Sequence, residues 1–285
     1  MVQTLPYPLA GPLVRYLQAS DPDRLARAAL EFIEGALAMA AYLAYAEYRC
    51  QDVPASRLLK GFTQRSLSPL LGLLRDCLSR MKTPWISAPW DVLFTGQLGV
   101  FVSTTCEQLN QFKHNKCDPA SIDTLRLVQI VSNAAYKCFS RSAFGYFDDV
   151  KRKNFATGYS GLFRVCAGLP PFLDVRLYEG IESFSPDQSF VVDVESGSAI
   201  PLAPLAFFDF CDQHRGDSHG HCYLYDISTG SGFQYKAVGH DCVVTATEHS
   251  KYAPLWELMT KLKSSDDSGL AISDVRLRPY AEESL

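Results

Sequence analysis

The densest run of chemically capable side chains is Cys211-Asp212-Gln213-His214-Arg215-Gly216-Asp217-Ser218-His219-Gly220-His221-Cys222. Cys211, His214, His219, His221 and Cys222 are thiolate or imidazole donors, the ligand types that zinc takes four at a time. Cys211 and His214 have the Cys-x2-His spacing that one turn can bring together. The second pair fits less well, because His221 and Cys222 are adjacent and in a strand would point to opposite faces. His219 and His221 would share a face. The competing reading is a polar hairpin tip with its two cysteines packed at the strand ends and no cofactor. The departure from the usual zinc spacing favours that reading.

Other chemistry fails on inspection. Gly158-Tyr159-Ser160-Gly161-Leu162 approaches the hydrolase elbow G-x-S-x-G, but Leu162 takes the place of the last glycine. Cys166, Cys222 or Cys242 with His221 or His240 are nominal nucleophile–base pairs. Each is better explained as a buried apolar cysteine. No phosphate-binding loop, dinucleotide fingerprint, H-E-x-x-H or EF-hand loop is present. Arg215-Gly216-Asp217-Ser218 contains a cell-adhesion tripeptide, which chance explains in a chain of this cysteine content. Trp85 and Trp90, in Pro84-Trp85-Ile86-Ser87-Ala88-Pro89-Trp90, could anchor a partner on a proline-stiffened loop. Burial over the end of a helical bundle is the more common fate of tryptophan.

The elements that must position these residues divide the chain. Asp21-Pro22 is a helix start, a capping carboxylate followed by a proline at the first helical position. Leu25, Ala29, Phe32, Leu37, Ala40 and Leu43 then follow a helical stripe. The segment from Ala36 to Ala46 is apolar nearly all round, which predicts a helix enclosed by neighbours and ending near Arg49. Further helices are predicted from about Ala55, from Ser68-Pro69, between Ser103 and Lys113, and after Asp118-Pro119, the last with the stripe Ile122, Leu125, Val128, Val131, Ala135 and Cys138. The basic run Lys151-Arg152-Lys153 reads as a solvated helix end. After about Tyr159 the texture changes. A short helix over Gly161 to Ala167 precedes apolar runs at 174–178, 189–194, 206–210, 222–227, 232–237 and 242–246, separated by turn residues. A last helix, Pro254 to Lys263, packs on the sheet, and a polar tail follows. The fold class expected is α+β: an antiparallel helical bundle over residues 1–155, then a small antiparallel β-sheet domain with a C-terminal helix over 156–285.

Composition bounds the function classes. Hydrophobic residues are 47% and charged residues 20% of the 285, which excludes a disordered chain. The net charge of −4 does not advertise a face for nucleic acid, and none is expected as a partner. Nine cysteines, an odd number, and no visible leader point to reduced thiols and a cytoplasmic protein. The uncharged apolar stretch from Gly35 to Ala46 is too short to span a hydrocarbon core, which takes about 20 residues, so no membrane is expected.

Two stretches resemble accessory regions of large bacterial multidomain signalling or defence proteins. One is Leu5-Pro6-Tyr7-Pro8-Leu9-Ala10 followed by the Asp21-Pro22 helix. The other is Ile200-Pro201-Leu202-Ala203-Pro204-Leu205, then Phe208 to Cys211, Cys222-Tyr223-Leu224-Tyr225 and Gly239-His240. In those proteins a Cys-x-x-Cys hairpin stands where this chain has Cys211 and His214. The resemblance implies a regulatory or sensory role in a bacterial cytoplasm. With no complete catalytic motif in the sequence, the leading expectation is a non-enzymatic regulatory or adaptor module that binds another protein or itself. The alternative is a metal-dependent sensor or enzyme, with zinc, centred on Cys211–Cys222.

Overall fold

The computed structural model describes residues 2–51, 57–59, 62–152, 159–169, 172–181, 189–209, 221–238, 241–264, 275–276 and 278–279. Its helices are α1 (Tyr7–Gln18), α2 (Pro22–Cys50), α3 (Leu67–Arg80), α4 (Gly96–Lys113), α5 (Thr124–Phe139) and α6 (Ala253–Ser264). Asp21 caps α2 as the sequence predicts, its side chain accepting from the Arg24 N–H at 3.0 Å. From Ala36 to Arg49 every residue of α2 is buried. This helix is long and apolar enough to cross a membrane by length and composition, yet here it is the core helix, enclosed by other elements. Asp118 caps only a short 3-10 turn, Pro119–Ser121. Asp123 caps α5 by accepting from the Arg126 N–H at 3.1 Å.

One helix escapes the periodicity reading. α1 begins behind Pro6 and carries Pro8 and Pro12, which look like breaks. Pro8 lies in the first turn, where a missing N–H costs nothing; Pro12 forgoes one interior bond. Burial of Leu9, Leu13 and Tyr16 on one face, four and three residues apart, offsets that loss.

The strands are β1 (Ser142–Arg152), β2 (Tyr159–Ala167), β3 (Phe172–Ile181), β4 (Ser189–Asp193), β5 (Ser198–Pro201), β6 (Ala206–Asp209), β7 (His221–Thr229), β8 (Gly232–Ala237), β9 (Val243–Ala246), β10 (Val275–Arg276) and β11 (Arg278–Pro279). Two antiparallel sheets result, ordered β10-β5-β4-β1-β2-β3-β11 and β6-β7-β8-β9. β10 and β11 are one residue apart yet pair with opposite edge strands, β5 and β3, so the larger sheet curls until that segment joins its edges. Phe147, Phe163, Tyr178 and Phe190 fill the inside of the curl. On the other face of β1, Phe144 and Tyr146 meet Phe208 of the second sheet, at ring-centroid distances of 5.3 and 4.7 Å.

Three expectations need correction. The change from helix to strand comes at Ser142, earlier than the texture suggests. Lys151 and Arg152 belong to β1 and end no helix, and Gly161–Ala167 lies in β2. The first two share a cause. β1 is buried on both faces through Phe147, so its apolar residues run together without the alternation that marks a half-exposed strand. Gly145 makes the β1–β2 approach close: a Cβ there would lie 1.9 Å from the Arg164 carbonyl oxygen.

Candidate functional site

The Pro-Trp loop is fixed from within the core. Glu47, near the end of α2, is fully buried. One of its carboxylate oxygens accepts the Trp85 N–H; the other accepts the Ser87 N–H at 2.9 Å and the Ser87 hydroxyl at 2.6 Å. Burial raises its pKa above the ordinary carboxyl range, while the Ser87 hydroxyl and the backbone donors pull the other way. These bonds tie the loop to the core, and it treats its tryptophans differently. Trp90 is 0% exposed and belongs to the core, so in this fold it offers nothing to a partner, whereas Trp85 is 37% exposed.

Trp85 borders a cleft of about 810 Å³ with Lys137, Ser140, Arg141, Ser142 and Glu195. A second cleft of about 340 Å³, lined in part by Tyr136, Arg176 and Val194, shares Ser140 and Ser142 with the first. Tyr136 is 40% and Val194 46% exposed. The two clefts flank the C-terminal end of α5, where Lys137 complements the helix dipole. Arg141 pairs with Glu195 across the first cleft at 2.8 Å.

Of the proposed metal ligands, Cys211, His214 and His219 lie outside the described residues, as does His240. His221 and Cys222 open β7 and are both buried. Consecutive on a strand, they face opposite ways and cannot share an ion without a break in β7. Among the described residues no group of three His, Cys, Asp or Glu side chains is placed to hold a metal. Burial pushes the Cys222 thiol well up and the Cys166 thiol up to about 12, the reverse of what a thiolate nucleophile needs.

A polar cluster that the sequence reading passed over lies where the last turn of α6 reaches β7. Tyr225 and Ser228, three apart, would face opposite ways in a regular strand. A bulge between Tyr225 and Ile227 shifts the register and brings them to one side. Asp226, the extra residue, turns to the segment before α3: its carbonyl accepts the Arg65 N–H at 2.6 Å and its carboxylate lies 3.4 Å from Arg65 Nε. The Tyr225 and Ser228 hydroxyl oxygens are 2.7 Å apart. Lys263 Nζ, from the last turn of α6, reaches Ser228 Oγ at 2.7 Å, Tyr225 Oη at 3.1 Å and the Phe62 carbonyl at 2.6 Å. It also stands 5.1 Å from the Tyr225 ring centroid. Burial lowers its pKa from the ordinary 10.5 to about 8. A strand bulge has no simple sequence signature, so neither spacing nor residue type announced this cluster.

Compared with family models, curated proteins and solved structures, the chain matches none. Function must be argued from its own geometry.

Proposed function

We propose that this chain is a regulatory or adaptor module that binds another protein through the surface around the C-terminal end of α5. The observation that carries the reading is the grouping of exposed Trp85, Tyr136 and Val194 about two adjoining clefts, with Arg141 and Arg176 among them. Tryptophan, tyrosine and arginine dominate the energetic centres of protein interfaces. Because Glu47 already holds the Pro-Trp loop, little conformational entropy is lost when a partner covers Trp85. The partner is one that lays an apolar side chain against Trp85 and spans the ridge formed by Ser140 and Ser142.

The test is a photo-cross-linking residue placed at Tyr136 in the full chain, with Val243 on β9, also exposed, as the control position. A discrete heavier product from position 136, absent from 243 and lost in Trp85→Asp, supports the reading. Its mass separates a second copy of this chain from a different protein. Equal patterns at the two positions, or no product at either, would refute it.

A further inference from the structure

The Tyr225, Ser228 and Lys263 cluster has the mutual geometry of an activated nucleophile, with no part in the protein-binding reading. Ser228 Oγ lies 2.7 Å from an amine that burial holds partly neutral near pH 8. The amine is fixed by its bond to the Phe62 carbonyl, and Tyr225 by its hydroxyl bond to the Thr63 carbonyl at 3.0 Å. Both protonation states satisfy the network. As an ammonium, Lys263 donates to Phe62, Tyr225 and Ser228. As a neutral amine it donates to Phe62 and Tyr225, its lone pair accepts the Ser228 hydroxyl proton, and the Tyr225 hydroxyl turns from the Thr63 carbonyl, which keeps the Ser228 N–H at 2.9 Å, to Ser228 Oγ. The proton leaving Ser228 therefore has a destination once that one hydroxyl has turned. Ser228 is half-buried one residue before the end of β7, and the next three residues are exposed.

We propose that Ser228 is a nucleophile for acyl transfer from small esters, with Lys263 as its general base and Tyr225 as a positioning residue. In the first step the Ser228 O–H bond breaks, its proton passes to Lys263 Nζ, and Oγ bonds to the ester carbonyl carbon. The ester C–O bond then breaks, and the departing alcohol takes the proton back from Lys263. Water repeats the sequence on the acyl-serine, releasing the carboxylic acid and restoring the hydroxyl.

The experiment treats the purified full chain with a fluorophosphonate probe between pH 7 and 9.5 and locates the adduct by peptide mass spectrometry. The probe's P–F bond breaks as Oγ–P forms. The expected result is an adduct on Ser228, formed at a rate that rises through about pH 8 and levels off. Lys263→Met slows it about 100-fold or more, the usual share of a general base. Tyr225→Phe keeps the adduct but alters the pH profile. No adduct on Ser228 in the folded wild type, an adduct on Lys263 instead, or an unchanged rate in Lys263→Met overturns the proposal. Should Lys263→Met fail to fold, the wild-type pH profile decides: a rate flat across pH 8 overturns it equally.

Discussion

Replacing Glu47 tests whether the Pro-Trp loop is held by one buried carboxylate. In Glu47→Ala the Ser87 N–H, in a fully buried residue, loses its acceptor, and the partly exposed Trp85 N–H loses its own. Each unsatisfied buried donor costs about 1–3 kcal/mol, the Trp85 end falling low because water can reach it. Two effects oppose this loss: the desolvation cost of the carboxylate disappears, and a water can enter the vacated polar space. The expected net loss at pH 7 is about 2–3 kcal/mol, a large part of the roughly 5–15 kcal/mol that holds a domain together. Glu47→Gln should lose about half as much, since its amide oxygen replaces one acceptor and its NH2 opposes the other donor. Urea denaturation followed by tryptophan fluorescence measures both. pH supplies a second check. Because the native carboxyl titrates above its ordinary 4.5, the native state binds the extra proton between the two values. The proton-linked part of Glu47's contribution is therefore fully present below about pH 4.5 and is lost as pH rises through the native value, leaving the donor-satisfying part that Glu47→Ala reads at pH 7. The wild type's advantage over Glu47→Gln should shrink over that window and then level. A loss below about 1 kcal/mol in Glu47→Ala at pH 7 would refute the view that this carboxylate organises the loop.

Three further outcomes follow from the same structure. Trp90→Ala should cost about 3–5 kcal/mol by calorimetry or urea midpoint, whereas Trp85→Ala should cost under about 1 kcal/mol and leave the far-ultraviolet circular dichroism of the fold intact. Gly145→Ala should destabilise by at least about 2 kcal/mol, because a Cβ 1.9 Å from the Arg164 carbonyl forces β1 and β2 apart; a stability within error of wild type would show that the strands can shift. The lowered Lys263 pKa makes the native state bind fewer protons than the unfolded chain between about 8 and 10.5, so stability relative to Lys263→Met should rise with pH across that window and be flat below it. A difference that falls with pH there would mean that the three acceptors around Nζ, rather than its burial, set its affinity for the proton.

What the sequence made legible follows a physical rule. α2 and its Asp21 cap, α5, β4, β6, β8, β9 and α6 each have a face or a boundary with its own chemical mark, and each lies close to where the sequence places it. The elements that were missed are those whose signal is cancelled by context. α1 carries prolines that only tertiary burial tolerates, and β1 loses its period of two because both faces are covered. β10 and β11 are two residues each, too short for any pattern, yet they join the edges of the curled sheet.

The same rule separates the two candidate sites. Trp85 and Trp90 were both visible as aromatics on a stiff loop, but their opposite fates were not. The residue that decides them, Glu47, sits thirty-eight positions before Trp85 in a helix face that otherwise buries apolar side chains. A charged residue in the middle of an apolar stripe is the one signal that pointed there: it must either break the helix packing or be satisfied by donors from elsewhere. The cluster at Ser228 gave less. Its geometry depends on one extra residue, Asp226, whose carbonyl and carboxylate are drawn off by Arg65, and on a lysine from a helix thirty-five residues away. Asp226→Gly should therefore be more informative than any substitution of the hydroxyls. If the bulge is held by the backbone bond from the Arg65 N–H to the Asp226 carbonyl, removing the carboxylate leaves that bond and the cluster in place, and probe labelling of Ser228 persists. If labelling disappears while the fold remains, the ion pair sets the register of β7, and the nucleophile geometry rests on a part-buried charge pair.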